Sequence, residues 1–172
     1  MANQFDYKQR DNDDWDTLGD LFDANDFTYE DVLGNCASYV RRKDMVRFIA
    51  QYELFKHVID LPGCIPDAGV FRGSSLFTWA KLMETFCPGD RSRKIFAFDH
   101  FDGLQGCHDK DGAADAATDK VVGGYRSSLE NIETLIELHH SDGFLPGVER
   151  IKQVNGDIQQ ALPQFWSSQK QS

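Results

Sequence analysis

Apolar and polar positions along this chain switch repeatedly between a helical and an extended rhythm. From Ser38 to Ile59 the apolar residues Met45, Phe48, Ile49, Tyr52, Phe55 and Ile59 recur at helical spacing, with Arg41, Arg42, Lys43 and Asp44 outward. Pro62-Gly63 ends that helix, and its stripe is expected to face the core. A short apolar run from Ile65 to Phe71 reads as a strand, and Leu76, Trp79, Ala80 and Met83 predict a helix stopped by Pro88-Gly89. Lys94-Ile-Phe-Ala-Phe-Asp99 is a buried strand of alternating bulky residues. A helix opening on the capping box Ser127-x-x-Glu130 follows, through Leu129, Ile132, Leu135, Ile136 and Leu138. Val148–Val154 is a third strand, and a short helix covers Ile158–Trp166. Strands alternating with helices predict an α/β chain with a parallel sheet. There is no internal repeat and no low-complexity tract.

The chemistry concentrates where strands end. Ile65-Pro-Asp67-Ala-Gly69-Val70-Phe71-Arg-Gly73-Ser74-Ser75 reads as a strand, a tight turn and a helix start. In an open parallel sheet, nucleotide-like ligands bind at such a corner. Gly69 and Gly73 permit backbone conformations closed to other residues, and the amides of Ser74, Ser75 and Leu76 have no intrahelical partner. The spacing is GxxxG rather than GxGxxG, which favours an adenosyl ligand without phosphates over a pyrophosphate dinucleotide. Asp99 follows Gly69 by 30 residues at the end of the second strand, placed to accept from both ribose hydroxyls. Asp157, after Asn155-Gly156, ends the third and is placed to meet an adenine amine. Each aspartate alone is equally well read as a turn or a helix cap. Their order along three strand ends supports the ligand.

These segments resemble a known family. Asp67-Ala-Gly-Val-Phe-Arg-Gly-Ser-Ser75, Phe98-Asp-His-Phe-Asp-Gly-Leu104, Ser127-Ser-Leu-Glu-Asn-Ile132 and Val154-Asn-Gly-Asp-Ile158 with Leu162-Pro163 look like the macrocin O-methyltransferases. Those are class I S-adenosylmethionine (SAM)-dependent enzymes that methylate sugar hydroxyls of natural products. The resemblance spans about residues 36–165 and is most specific at the first two motifs. It implies a Rossmann-like three-layer sandwich of the SAM-dependent methyltransferase type. In it Asp67, Gly69, Val70, Phe71, Gly73, Ser74 and Ser75 surround the methionine part of SAM. Asp99, His100 and Phe101 lie by the ribose, and Gly156, Asp157 and Ile158 by the adenine.

Two departures change the expectation. The family usually has Glu at the position of Asp67 and an aliphatic residue at that of Pro66; a proline suits an edge or a strand start. The family also continues past the third strand with carboxylates that bind Mg²⁺ and orient the acceptor, and the resemblance finds no counterpart to them before Ser172. The expectation is therefore a SAM-binding half, incomplete at its C-terminus, with no metal ligands and no assigned catalytic residue. Without the family's fourth strand the first strand has an open edge, which predicts a homodimer or cover from the N-terminal segment.

Composition narrows the partners. At 172 residues, with 41% hydrophobic and 12% aromatic content, one domain with a real core is expected. A net charge of −10 argues against nucleic acid and anionic membranes, which need a basic face. Cys36, Cys64, Cys87 and Cys107 form no CxxC pair, so free thiols in a reducing cytoplasm are expected. The polar start leads to the expectation of no signal peptide, and no apolar run approaches membrane-spanning length.

Residues 1–34 are acidic with scattered aromatics (Phe5, Trp15, Phe22, Phe27 and Tyr29) and predict a loosely ordered arm ahead of the 35–172 domain. Between Asp102 and Arg126 lies a long Gly- and Asp-rich stretch with Gly103, Gly106, Gly112, Gly123, Gly124, Asp109, Asp111, Asp115 and Asp119, of a kind that covers substrates. Asp109-Lys-Asp111-Gly112 lacks the closing Glu of a calcium loop. His100 and His108 flank the expected pocket, while His139 and His140 are read as compensating a helix dipole. Two functions remain open: methyl transfer to a hydroxyl of a small molecule or sugar, or a non-catalytic SAM- or nucleoside-binding module that works through a partner.

Overall fold

The computed structural model describes residues 7–106 and 121–169 and divides into two compact units that meet between Arg47 and Phe48. The first unit is helical. Helices α1 (Tyr7–Asp23), α2 (Tyr29–Gly34) and α3 (Cys36–Tyr39) occupy the segment expected to be loosely ordered. Thr28 caps α2 in a reciprocal capping box with Asp31. Phe22, Phe27 and Tyr39 pack together with ring centroids 5.4–6.1 Å apart. Arg41 pairs with Asp11 at 2.8 Å and lies 3.8 Å from the centre of the Trp15 ring. The contacts of Tyr39 and Arg41 are long-range, which is why the polar local sequence did not reveal them.

Helix α4 (Arg42–Val58) starts in the first unit and ends in the second. The single helix expected over Ser38–Ile59 is interrupted at Val40, whose extended backbone ends α3. Within the second unit Phe55 is fully buried and Gln51 nearly so, whereas Ile49 is 53% exposed. The face that packs is therefore the Gln51–Phe55 line, and the expected core stripe is only partly inward.

Three parallel strands, β1 (Ile65–Ala68), β2 (Ile95–Asp99) and β3 (Ile151–Asn155), lie in the order β1-β2-β3. Ile65 pairs with Ile95, and Ile95 with Ile151, so all three strands are in step. Residues alternate faces along a strand. Ile95, Ala97 and Ile151 join Phe55, Leu76, Ala80, Met83, Ile132 and Ile136 in one core beneath α4, α5 (Ser74–Phe86) and α6 (Leu129–Ser141). Phe96 and Phe98 point the other way, 4.4 and 5.6 Å from Phe165 of α7 (Ile158–Gln169). Helices on both faces of a parallel sheet make the Rossmann-like three-layer sandwich that was expected.

Two strand limits differ from the expectation. β1 stops at Ala68 because the chain turns through positive φ at Gly69 (75°) and Phe71 (50°). β3 starts at Ile151 rather than Val148, whose amide donates into a turn at Leu145. The cap of α6 is Ser128, one residue beyond the expected Ser127, and its hydroxyl accepts from the Asn131 amide. Among the described residues, no helix is long and apolar enough to cross a membrane.

Candidate functional site

The carboxyl ends of the three strands meet at one side of the sheet, and Asp99 ties them together. One oxygen of its carboxylate accepts from the Phe71 amide (2.9 Å), the other from the Phe101 amide (2.8 Å). Its backbone carbonyl accepts from Gly156 (3.1 Å), and the Gly69 amide donates to Phe98 (2.9 Å). One aspartate thus fixes the turn after β1, the turn after β2 and the end of β3.

The turn after β1 is closed by the Gly73 amide donating to Val70 (2.8 Å). Gly73, at φ 85°, is the N-cap of α5 and brings no side chain to cap it, so the first amides of a 13-residue helix are left for another acceptor. A Cβ at Gly73 would lie 2.5 Å from the Phe77 ring. At Gly69, by contrast, a Cβ would point into open space, so the main chain there can be approached. Uncapped helix amides beside an open stretch of main chain can receive an anionic group such as a carboxylate.

Not every expected residue faces that space. Val70 is buried in the core and offers only its backbone. Asp67 is 7% exposed; Ser75 Oγ donates to its Oδ2 (2.9 Å) and the Trp79 side chain donates as well. Burial pushes the Asp67 carboxyl up, and those two donors only partly oppose it. Asp67 therefore holds the start of α5 from beneath. Ser74 is exposed at the helix start, and its carbonyl accepts from Thr78. Asp157 begins α7: its Oδ1 accepts from the Gln159 amide (2.8 Å), so the cap reading of this residue holds. Gly156, at φ 133°, precedes it and Ile158 follows, partly exposed.

Beyond Asp99, His100 Nδ1 accepts from the Asp102 amide (3.2 Å). His100, Phe101 and Asp102 line a cleft of about 570 Å³ whose other wall is Arg126, Ser127, Ser128 and Leu129. In the sequence the Ser127–Leu129 stretch reads as a helix start and as part of a family-like motif, and neither reading reveals that wall. Nor does the sequence single out Tyr125, whose ring meets Phe71 edge-on at 5.6 Å. Phe71, Phe101 and Tyr125 are the non-glycine residues with positive φ among those described, and all three border this site. Such strain gathers where the surrounding structure fixes a site. The Gly-rich stretch begins and ends in a clasp: Leu104 donates to Gly124 (2.8 Å) and Gly123 to Leu104 (2.7 Å). Gly103 sits under it with no room for a Cβ, which would fall 2.6 Å from two carbonyl oxygens. Cys107, His108, Asp109, Asp111, Gly112, Asp115 and Asp119 lie outside the described residues.

Among the described residues no group of three or more His, Cys, Asp or Glu is placed to hold a metal ion. His139 is 6% exposed, and neither ring nitrogen has a hydrogen-bond partner. Burial first, and Lys81 second, pull its pKa below the usual histidine value. Neutral near pH 7, it does not compensate the dipole of α6 as expected.

No protein-family model matches the chain, and no curated protein matches it. Solved structures of CalS11 do. The crystal structure of this calicheamicin methyltransferase superposes with a TM-score of 0.81 at 24% identity, over 95% of this chain and 64% of CalS11. An apo structure, described as TDP-rhamnose 3'-O-methyltransferase of calicheamicin biosynthesis, gives 0.72 at 24% identity, over 95% and 63%. The likeness shows a methyltransferase fold, and the chain spans less than two thirds of the CalS11 length.

Proposed function

We infer that the chain binds SAM at the strand ends and serves O-methyl transfer to a hydroxyl of a small molecule or sugar. The observation that carries this is the junction at Asp99, which holds the turn after β1, the turn after β2 and the end of β3 within one hydrogen-bonded unit. In this reading the methionine carboxylate meets the uncapped amides of α5. The ribose hydroxyls meet the lone pairs of Asp99 not taken by the two amides, and the adenine lies between Phe101 and the Gly156–Ile158 turn. SAM supplies an electrophilic methyl group when bound; the chain's own part is to orient it and to exclude water. The resemblance to macrocin O-methyltransferases and the methyltransferase descriptions of CalS11 support the reaction class. The acidity of the chain, −10 overall, fits a small-molecule or sugar acceptor rather than nucleic acid or an anionic membrane. The cytoplasm, where SAM is made, is the matching compartment.

The second reading is a SAM- or nucleoside-binding module that works through a partner. It is favoured by one observation: His100, the histidine beside the site, already uses Nδ1 to accept from Asp102. Calorimetry with SAM and S-adenosylhomocysteine, run beside a radiolabelled methyl-transfer assay on TDP-rhamnose, separates the two. Binding with turnover supports the enzyme; binding without turnover supports the module. Asp99→Ala should weaken SAM binding by roughly 1–3 kcal/mol, the cost of an unmade bond to a charged group. A folded wild-type chain that binds neither ligand would refute both.

A further inference from the structure

The turn after β1 and the segment that leads into α6 meet through two aromatic residues in strained backbone. In the dinucleotide fingerprint Gly-x-Gly, the second glycine lets a ligand come close to the main chain. Counting from Gly69, that place belongs to Phe71, which keeps the positive φ of a glycine (50°) while carrying a bulky ring. Such a conformation is rare for a large side chain and gathers at places that hold ligands. The Phe71 amide donates to Asp99 Oδ2 (2.9 Å), and two residues later Gly73 starts α5. Phe71 is therefore fixed between the two anchors of the candidate site.

Tyr125 meets it from the other side. Its φ is 56°, its ring packs edge-on against Phe71 at 5.6 Å, and it is 44% exposed. The clasp between Leu104 and Gly123–Gly124 fixes the main chain just before it. In the SAM reading the methionine end lies at the α5 amides and the ribose at Asp99, so the sulfonium lies between them, on the stretch that Phe71 spans. An aromatic face attracts a cation electrostatically and lacks that attraction for a neutral thioether. The Phe71 ring already has a cation beside it, the exposed Arg72 guanidinium, 5.2 Å from its centre. Like charges repel, so a second cation is better placed on Tyr125, and Phe71 serves to hold that ring.

Resting on the SAM reading, we propose that Tyr125 packs its ring against the sulfonium and methyl group of SAM, with Phe71 as the residue that positions it. When the methyl group has passed to the acceptor oxygen and the acceptor's proton to solvent, S-adenosylhomocysteine is left as a neutral thioether. The ring thus favours the charged donor over the spent product, which helps the site exchange one for the other.

Calorimetry of the full chain with SAM and with S-adenosylhomocysteine tests this, on wild type, Tyr125→Leu, Tyr125→Phe and Phe71→Leu. Tyr125→Leu should lose about fivefold more affinity for SAM than for S-adenosylhomocysteine. Tyr125→Phe keeps a ring and should keep the preference, and Phe71→Leu should lose part of it. Wild type saturated with SAM that carries an isotope-labelled methyl group should also show the methyl NMR signal moved upfield by the ring. Equal losses for the two ligands in Tyr125→Leu, or a methyl signal at its free position, would overturn the assignment and leave the SAM site standing. A Tyr125→Phe variant as impaired as Tyr125→Leu would overturn it too, because the hydroxyl and not the ring would then act. Folded wild type that binds neither ligand would overturn the SAM reading itself, and this assignment with it.

Discussion

Gly69 and Gly73 show how two identical residues, four apart, carry different loads. Both are held at positive φ, 75° and 85°, so any side chain at either costs about 1–2 kcal/mol of backbone strain. The difference lies in what a Cβ would meet. At Gly73 it meets the Phe77 ring at 2.5 Å and must displace it, with Ile132 Cδ1 at 3.3 Å leaving little room. At Gly69 it meets nothing within 4 Å. Gly73→Ala should therefore lower stability by more than strain alone, and Gly69→Ala by strain only. For SAM affinity the order should reverse in relative terms: Gly69→Ala puts a methyl group where the ligand approaches, while its fold stays nearly intact. Urea denaturation and calorimetry on the two variants check this. Equal stability losses would show that the Phe77 ring yields to a Gly73 side chain without cost, and full SAM affinity in Gly69→Ala would show that the open space above Gly69 has no role in binding.

At the scale of elements, α5 is defined at one end by a missing cap and at the other by an unusually complete one. Arg150 has a fully buried side chain that pairs with Glu84. Its guanidinium also donates to the carbonyls of Cys87 (3.1 Å), Pro88 (3.0 Å) and Asp90, the backbone that leaves α5. Burial alone would raise the Glu84 carboxyl, but Arg150 and the Phe144 amide outweigh it and hold the pKa below the usual range. Removing the cation strands a carboxylate and three carbonyls together, so Arg150→Met should cost about 3–5 kcal/mol in a denaturation experiment. A loss under about 1 kcal/mol would mean that water replaces the guanidinium. The same pairing explains what could and could not be read in advance. β2 was legible because Ile95–Asp99 alternates bulky residues in a purely local pattern. β3 was read three residues too long because Val148-Glu-Arg150 has strand-like composition, whereas Arg150 is committed to groups 60–66 residues away. The helices of the acidic segment were missed for the same kind of reason, since Arg41 reaches back to Asp11. At the candidate site the glycines and Asp99 were visible in the sequence, but the wall formed by Arg126–Leu129 depends on how α6 returns to the sheet.

For the whole molecule, buried titratable groups make stability depend on pH, and the sign follows from which state binds more protons. Burial pulls both His139 and His140 below the ordinary value of about 6.5. His140 has a further reason to stay neutral, since its Nε2 accepts from the Ile151 amide (3.3 Å). The charges acting on His139 are Lys81 and His140, which disfavour its protonation, and Glu84 and Asp142, which favour it; burial exceeds them all. The unfolded chain therefore takes up protons near pH 6.5 that the folded chain refuses, and stability falls as the pH drops through that range. Asp67 acts in the opposite sense: its raised pKa means the folded chain protonates it first, so the cost of burying its charge fades on acidification. That relief comes as the pH falls through the raised pKa and is complete below the ordinary Asp value of about 3.9. Glu84 and Asp90, held below their usual range, lose their contribution at the acid end as well. The melting temperature should be flat above about pH 7.5 and fall between about pH 6.5 and 5.5, where the unfolded histidines charge. His139→Leu should flatten that fall without steepening it elsewhere, and His140→Leu should do so at the price of the bond to Ile151. A wild-type melting temperature that rises on acidification from pH 7.5 to 6 would show that the buried imidazoles are protonated in the fold.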